Sequence, residues 1–183
     1  IELITKKSFY LELKTLMWHK NYLPIYDEKL TSEEIKHTNC YAYALGLDIS
    51  ENKICLNAYQ PGMISNVVKN VKGNLINVSH DLFIKRVESD FDALNINYRN
   101  VLPNEEVDED EWKIILLTEK HDDKLSDFHF LREMKDGKWS HKLGYYGKIK
   151  TISDINPIVS NPNLCDLDFY TYDRCYALSM KKR

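Results

Sequence analysis

The feature that most constrains the fold is a β-hairpin pattern in the second half of the chain. Residues 127–133 and 138–143 are short runs typical of strands, separated by a turn sequence that contains Lys-Asp-Gly and ends at Gly137. Asp-Gly between two such runs is a strong hairpin signal, and Lys-Asp-Gly suits a three-residue loop with its glycine in the left-handed region. We therefore predict an antiparallel pair of strands in which Leu131 faces His141.

The register of this hairpin determines where its two histidines lie. In the predicted register His129, Leu131 and His141 share one face, and the two histidines are diagonal neighbours. A two-residue type I′ loop would instead place Arg132 opposite His141 and turn the histidines to opposite faces. We favour the first register because the loop sequence fits it better.

The order of the other elements indicates the fold class. Helical patterns predominate in the first half of the chain and strand patterns in the second. This order predicts an α+β domain with N-terminal helices packed on an antiparallel β-sheet formed by the C-terminal half. The β-rich run at 112–117 (WKIILL) is bounded by charge, as expected for a central buried strand, and the acidic run at 105–111 is expected to be a solvated loop. Further predicted helices are at 4–19, 67–71 and 81–94, and further predicted strands at 95–101, 169–172 and 176–180.

Composition and charge exclude several classes of protein. The chain has 183 residues, of which 43% are hydrophobic, which favours a single domain with its own core. A net charge of −3 argues against a nucleic-acid partner, and no apolar run approaches the roughly 20 residues that span a bilayer. The chain starts at Ile1 with no signal-peptide pattern. We therefore expect a fragment of a longer protein, cytoplasmic as expressed or, for an effector, secreted or translocated.

One of the four cysteines has a chemical context that the others lack. Cys40 follows a favourable N-cap, Thr38 or Asn39, and opens a predicted buried helix that ends near Gly46. The N–H groups of a first helical turn and the helix dipole stabilise a thiolate, so Cys40 could be a nucleophile; the alternative is a small buried thiol. Two disulfides would have three possible connectivities. We expect buried thiols instead at the other positions, which are Cys55, Cys165 and Cys175.

Cys40 and the hairpin histidines together match the needs of thiol catalysis. A helix-opening cysteine packed on the face that carries His129 and His141 would supply a thiolate, a general base and a group that orients the base. These residues could also bind zinc with water as the fourth ligand, but their spacing matches no zinc motif, and we predict no metal or cofactor. A hydrogen-bonded histidine pair in the core is the third possibility. Surface positions are expected for the other histidines, His19, His37, His80 and His121.

Three segments carry a resemblance to a known family. Residues 39–45 (NCYAYAL), 127–130 (DFHF) and 139–142 (WSHK) together resemble the Cys-His core of papain-like cysteine peptidases, and the hairpin is most similar to the NlpC/P60 and CHAP branch. The resemblance implies a papain-like fold with Cys40 as nucleophile, His129 as base and His141 as the orienting residue. It also implies one papain-like domain over 1–183, with a helical lead-in at 1–38, an insertion at 47–110 and the sheet at 111–183.

The resemblance leaves two roles open. For the third member of the site we rank His141 first, then Asn161, Asn156 and Asp127; each asparagine precedes a proline and could simply form a turn. The glutamine that precedes the cysteine in papain has no counterpart. The backbone N–H of Cys40 would therefore form the oxyanion hole, with Asn39 or His37 beside it.

The expected activity is hydrolysis of a peptide or isopeptide bond in a protein or peptide substrate, by an effector or toxin domain. Glutamine deamidation and acyl transfer on the same fold are alternatives, because residue types at the nucleophile do not separate these reactions. A hypothesis from a different class is a non-catalytic protein-binding domain that uses tyrosine for its contacts. Four tyrosines would lie near its cleft: Tyr41, Tyr43, Tyr145 and Tyr146.

Overall fold

The computed structural model describes residues 39–46, 60–68, 78–122, 124–134, 137–144, 149–152, 167 and 170–181. These residues contain the helices α1 (Cys40–Leu45) and α2 (His80–Ala93). They also contain the strands β1 (Ile96–Val101), β2 (Glu111–His121), β3 (Lys124–Glu133), β4 (Trp139–Lys142), β5 (Ile149–Ile152) and β6 (Thr171–Met180). The strands form one antiparallel sheet in the order β1-β6-β2-β3-β4-β5. The predicted α+β class, with helices preceding an antiparallel sheet, is confirmed.

Strand β2 lies in the middle of the sheet and is covered on both sides. Side chains alternate along it, so Ile114 and Leu116 pack with α1 and α2 in one core, whereas Ile115 and Leu117 belong to a second core. We call these two sides the helix face and the far face. Because both faces are buried, the middle of the strand at 114–117 is continuously apolar, as expected for a central strand.

The β3–β4 hairpin has the predicted register. The Met134 N–H donates to the Lys138 carbonyl at 2.7 Å, Arg132 pairs with Ser140, and Gly137 has a φ of 78°. That φ lies in the left-handed region, which glycine adopts without steric cost. The choice of the three-residue loop over the type I′ loop is therefore confirmed.

Strand β6 differs from the prediction, which divided it into two strands at 169–172 and 176–180. The pairing of β2 with β6 shifts between Leu116, which pairs with Arg174, and Leu117, which pairs with Tyr172. Asp173 is the extra residue, so a β-bulge joins the two runs into one strand. The bulge turns the Asp173 carboxylate toward His80, Lys120 and Thr118, a set of polar contacts that a sequence pattern does not reveal.

The predicted helix at 67–71 is wrong where the structure describes it. Residues 61–66 form consecutive turns, and Val67 and Val68 lie in a bend that follows them. Asn66 has a φ of 58°, and the Val68 N–H donates to the Gly62 carbonyl at 2.9 Å, so the chain folds back instead of continuing as a helix. Residues 69–71 and the predicted helix at 4–19 lie outside the described residues.

The segment 78–110 contributes to the main core. Helix α2 begins after the N-cap Ser79 and buries Phe83, Val87 and Phe91 in the helix-face core, and β1 forms the edge of the sheet beside β6. The acidic segment that follows β1 is a loop up to residue 110, as predicted, and Arg99 links it to the start of β2 by pairing with Glu105 and Glu111. In the described part of the chain, no helix has the length and apolar character needed to cross a membrane.

Candidate active site

Cys40 is the first residue of α1, as predicted, and Asn39 is its N-cap. The Asn39 side-chain oxygen accepts the Ala42 N–H at 2.9 Å, and Gly46 ends the helix in the left-handed conformation with a φ of 68°. The β-region backbone of Asn39 and its short polar side chain are what an N-cap requires. Because its carbonyl oxygen caps the helix, only the amide nitrogen of Asn39 could donate to an oxyanion. His37 and Thr38 lie outside the described residues.

Side chains of α1 fix this helix to β3 and β4 on the helix face. The Tyr43 hydroxyl and Ser140 Oγ are 2.7 Å apart, and Arg132 Nη1 donates to the Tyr43 carbonyl at 2.9 Å. The ring of Tyr41 packs 5.0 Å from that of Phe130, between centroids. Tyr41 is fully buried, so it is not available as a contact residue for a protein partner. Tyr145 and Tyr146 lie outside the described residues.

The Cys40 thiol is buried beside the backbone of β3. Its pKa is raised to about 12, mainly by burial and also by the charge of Asp127, although the backbone N–H groups of Phe130, Tyr41 and Cys40 act to lower it. The start of the helix therefore acts in the expected direction, but removal from water outweighs it. Cys40 is a neutral thiol at physiological pH. Among the described cysteines, Cys40 and Cys175 are both free thiols, and the predicted burial of Cys175 is confirmed.

His129 and His141 form a buried pair on one face of the hairpin, as the register predicted. Nε2 of His129 lies 2.8 Å from Nδ1 of His141, and their ring planes are nearly perpendicular. Burial, and to a smaller extent the charge of His141, lower the pKa of His129 to about 3. His129 is therefore neutral at physiological pH, with one ring nitrogen engaged by His141.

Tyr170 and Asp127 lie beside this pair. The Tyr170 ring is 5.7 Å from that of His129, between centroids, and the Tyr170 hydroxyl donates to the Asp127 carboxylate at 2.5 Å. Burial and this carboxylate raise the pKa of Tyr170. Of the two candidates for the third position that the structure describes, His141 contacts His129, whereas Asp127 accepts a hydrogen bond from Tyr170. Asn156 and Asn161 lie outside the described residues.

Cys40 and the histidine pair lie on different sides of the sheet. His129 pairs with Leu117 of the far-face core, whereas Phe128 and Phe130 turn to the helix face, where Cys40 is packed. The expectation that the helix packs on the histidine face is therefore wrong, because the two phenylalanines give the other face of β3 the larger apolar surface. Cys40 and His129 both belong to the described ranges, and no hydrogen bond joins the Cys40 sulfur to the His129 ring.

The Cys40 thiol and the two imidazole rings nevertheless lie at the same short stretch of the hairpin. The β3–β4 ladder consists of Arg132 with Ser140 and Glu133 with Trp139, so Phe130 and Lys142 lie beyond its end. We call the region between Phe130 and Lys142 the strand opening. The Phe130 N–H faces the Cys40 sulfur there, and His129 is the preceding residue of the same strand.

Lys142 is the functional candidate that the sequence reasoning missed. It is fully buried, its Nζ donates to the Gly144 carbonyl at 2.7 Å, and burial lowers its pKa to about 8, while a Cys40 thiolate would raise it. The predicted register already places Lys142 opposite Phe130 on the helix face. A lysine that the register turns toward the core is unusual, and this feature of the sequence could have identified Lys142 as a candidate.

The zinc alternative is not supported by the geometry. Within the described ranges, no group of three or more His, Cys, Asp or Glu side chains could hold a metal ion. Cys40, His129 and His141 all belong to these ranges, so this result includes the Cys-His-His set. A Cys-His-His metal centre is therefore not formed.

Comparisons of the chain with protein-family models, curated proteins and solved structures found no match. The papain-like resemblance accordingly depends on residues 39–45, 127–130 and 139–142 alone. Inferences about function therefore depend on the arrangement of Cys40, the histidine pair and Lys142 around the hairpin.

Proposed function

We propose that this protein is a thiol-dependent hydrolase of the papain-like type, which cleaves a peptide or isopeptide bond through Cys40. The observation that carries the proposal is the position of Cys40. It opens a capped helix that is fixed to the β3–β4 hairpin, and its sulfur accepts the N–H of Phe130, the residue that follows His129 on β3. A nucleophile, a base and a group that orients the base are the parts that such a reaction needs.

His129 is suited to the role of base because it is neutral and one of its nitrogens is free of His141. Nε2 of His129 is bonded to Nδ1 of His141, so Nδ1 of His129 is the atom that receives the thiol proton. In this role His129 carries its own proton on Nε2 and donates it to His141, which fixes both the tautomer and the orientation of the ring. Proton transfer requires the donor and acceptor atoms to come within about 3 Å, a contact that often tightens only when substrate binds. The mechanism requires the His129 ring to reach the Cys40 sulfur through the strand opening when substrate binds.

The reaction proceeds in two balanced halves. The sulfur of Cys40 attacks the carbonyl carbon as its proton passes to His129, and the carbonyl electron pair moves to oxygen. The oxyanion collapses, the C–N bond breaks, and the amine leaves with the proton from His129, which forms a thioester on Cys40. Water then attacks the thioester while His129 accepts its proton, and the carboxylic acid and the thiol are released. The Cys40 backbone N–H and the Asn39 amide would donate to the oxyanion in both halves.

Incubation with a peptide library derived from a proteome tests this proposal, because such a library samples many sequences at once and no single substrate has to be chosen. New peptide termini should appear with the wild-type protein and with Cys175→Ala, and should be absent with Cys40→Ala. Cys175 is the matched control, because it is also a buried thiol with a pKa raised to about 12. Glutamine converted to glutamate in intact peptides would instead support the deamidase alternative. No change that depends on Cys40 would overturn the proposal and favour a binding domain.

A further inference from the structure

The inward-facing lysine at the end of β4 lies next to the candidate nucleophile. Ser140 is held by the Tyr43 hydroxyl at 2.7 Å, which fixes the middle of α1 over β4. Lys142 is two residues further along the same face of this strand, so it too lies on the helix face of the sheet. Across the strand opening it faces Phe130, whose N–H is directed at the Cys40 sulfur.

We propose that Lys142 is a positioning residue whose buried ammonium group stabilises the thiolate of Cys40 relative to its thiol. This inference rests on the proposed function for the catalytic use of the thiolate. The effect of the Lys142 charge on the sulfur can be measured without turnover. An ammonium group and a thiolate attract each other strongly where water is excluded, so the charge of Lys142 favours the thiolate of Cys40 over its thiol.

The other charged and titratable groups around Cys40 cannot supply this effect. Asp127 on β3 is negative and raises the pKa of the thiol, and Tyr170, which precedes β6, is a neutral phenol. Arg132 on β3 donates to the Tyr43 carbonyl, three residues after Cys40 in α1, and His129 is neutral. Lys142 on β4 is a cation whose charge interacts with that of a Cys40 thiolate.

The pKa of Lys142, lowered to about 8 by burial, gives the proposal a distinctive pH dependence. Below that value the ammonium is present, and each thiolate that forms is stabilised by it. Above that value the lysine loses its proton and the stabilisation declines. A merely structural role would change access to the sulfur by the same factor at every pH.

The test is the rate of iodoacetamide alkylation at Cys40, followed by peptide mapping from pH 6 to pH 10. Lys142→Met should lower the rate about tenfold near pH 7, which corresponds to one pKa unit of the thiol, and the ratio to wild type should approach one above about pH 9. Lys142→Arg should restore part of the rate. Lys113→Met is the matched control, because Lys113 is also buried but lies on the far side of the sheet, bonded to the Pro103 and Glu105 carbonyls.

A ratio that is the same at every pH, or an equal loss in Lys113→Met, would overturn the role of Lys142. Should Lys142→Met fail to fold, the wild-type profile decides alone. A bend near pH 8 supports the proposal, and a straight rise to pH 10 contradicts it. If the hydrolase proposal alone is wrong, no library cleavage will be seen, but the ratio of alkylation rates will still depend on pH.

Discussion

The Nε2 atom of His129 and the Nδ1 atom of His141 are 2.8 Å apart, in a pair of side chains that is almost completely removed from water. Because the two rings lie on neighbouring strands of one hairpin, the turn that fixes the register also fixes this contact. The pair therefore links the local sequence of the turn to the acid–base behaviour of the site, and four predictions follow from this site and its surroundings.

The stability of the protein should fall as the pH drops from about 6.5 toward 3. The pKa of His129 is lowered from 6.5 to about 3 by burial, so in this range the unfolded chain binds a proton that the folded protein does not. The stabilisation is fully present above the His129 pKa of the unfolded chain. It is lost as the pH falls toward the His129 pKa of the folded protein, at up to about 1.4 kcal/mol per pH unit. Urea denaturation at several pH values measures it. His129→Gln should reduce this slope, and the exposed His121→Gln should not; equal slopes in all three proteins would contradict the assignment.

Asp90 should be essential for joining α1, α2 and the turn at 60–68. Its carboxylate accepts the Gly62 and Ser65 N–H groups, each at 2.7 Å, and the Tyr41 hydroxyl at 3.1 Å. Asp90→Ala leaves these three donors without their buried acceptor, so we expect a loss of at least about 3 kcal/mol in the free energy of unfolding. Asp92→Ala is the control, since Asp92 is exposed on the same helix. A similar small loss in both variants would show that the Asp90 contacts do not stabilise the fold.

The hydrogen bond between Tyr43 and Ser140 should couple α1 to β4. Tyr43→Phe and Ser140→Ala each remove it, and we expect each to cost about 1 kcal/mol of stability. A double-mutant cycle should then give a coupling energy of at least about 0.5 kcal/mol. Both variants should also slow probe labelling of Cys40, because this bond fixes the helix that carries it. Additive losses in the cycle would mean that the 2.7 Å contact does not hold the helix.

His129 should matter more for activity than His141. We expect His129→Ala to lower kcat/KM by at least about 100-fold, since it removes the base, and His141→Ala to lower it less, since that residue orients the base. Library cleavage rates for the two variants provide the comparison. The reverse order would mean that the two roles are exchanged.

Turn chemistry and side-chain alternation were sufficient to predict the hairpin from the sequence. Lys-Asp-Gly specified the loop, the loop specified the register, and the register brought His129 and His141 together. The cap of α1 was equally readable, because Asn39 satisfies a local requirement of the helix that starts at Cys40.

Features that depend on packing between distant segments could not be read in this way. The side of the sheet on which α1 packs is decided by Phe128 and Phe130 together with α2, and that choice separates Cys40 from the histidine face. Burial, which reverses the expected direction of the Cys40 pKa, is likewise a property of the assembled core. The bulge at Asp173 depends on contacts from α2 and β2.

Covalent labelling with a peptidyl acyloxymethyl ketone tests the central claim most directly, because this probe needs both an attacking thiol and a base beside it. The expected result is one adduct per chain, mapped to Cys40, with Cys175 unmodified and the labelling rate greatly reduced in His129→Ala. Equal slow labelling of Cys40 and Cys175, unaffected by the loss of His129, would contradict the assignment of Cys40 and His129 as nucleophile and base.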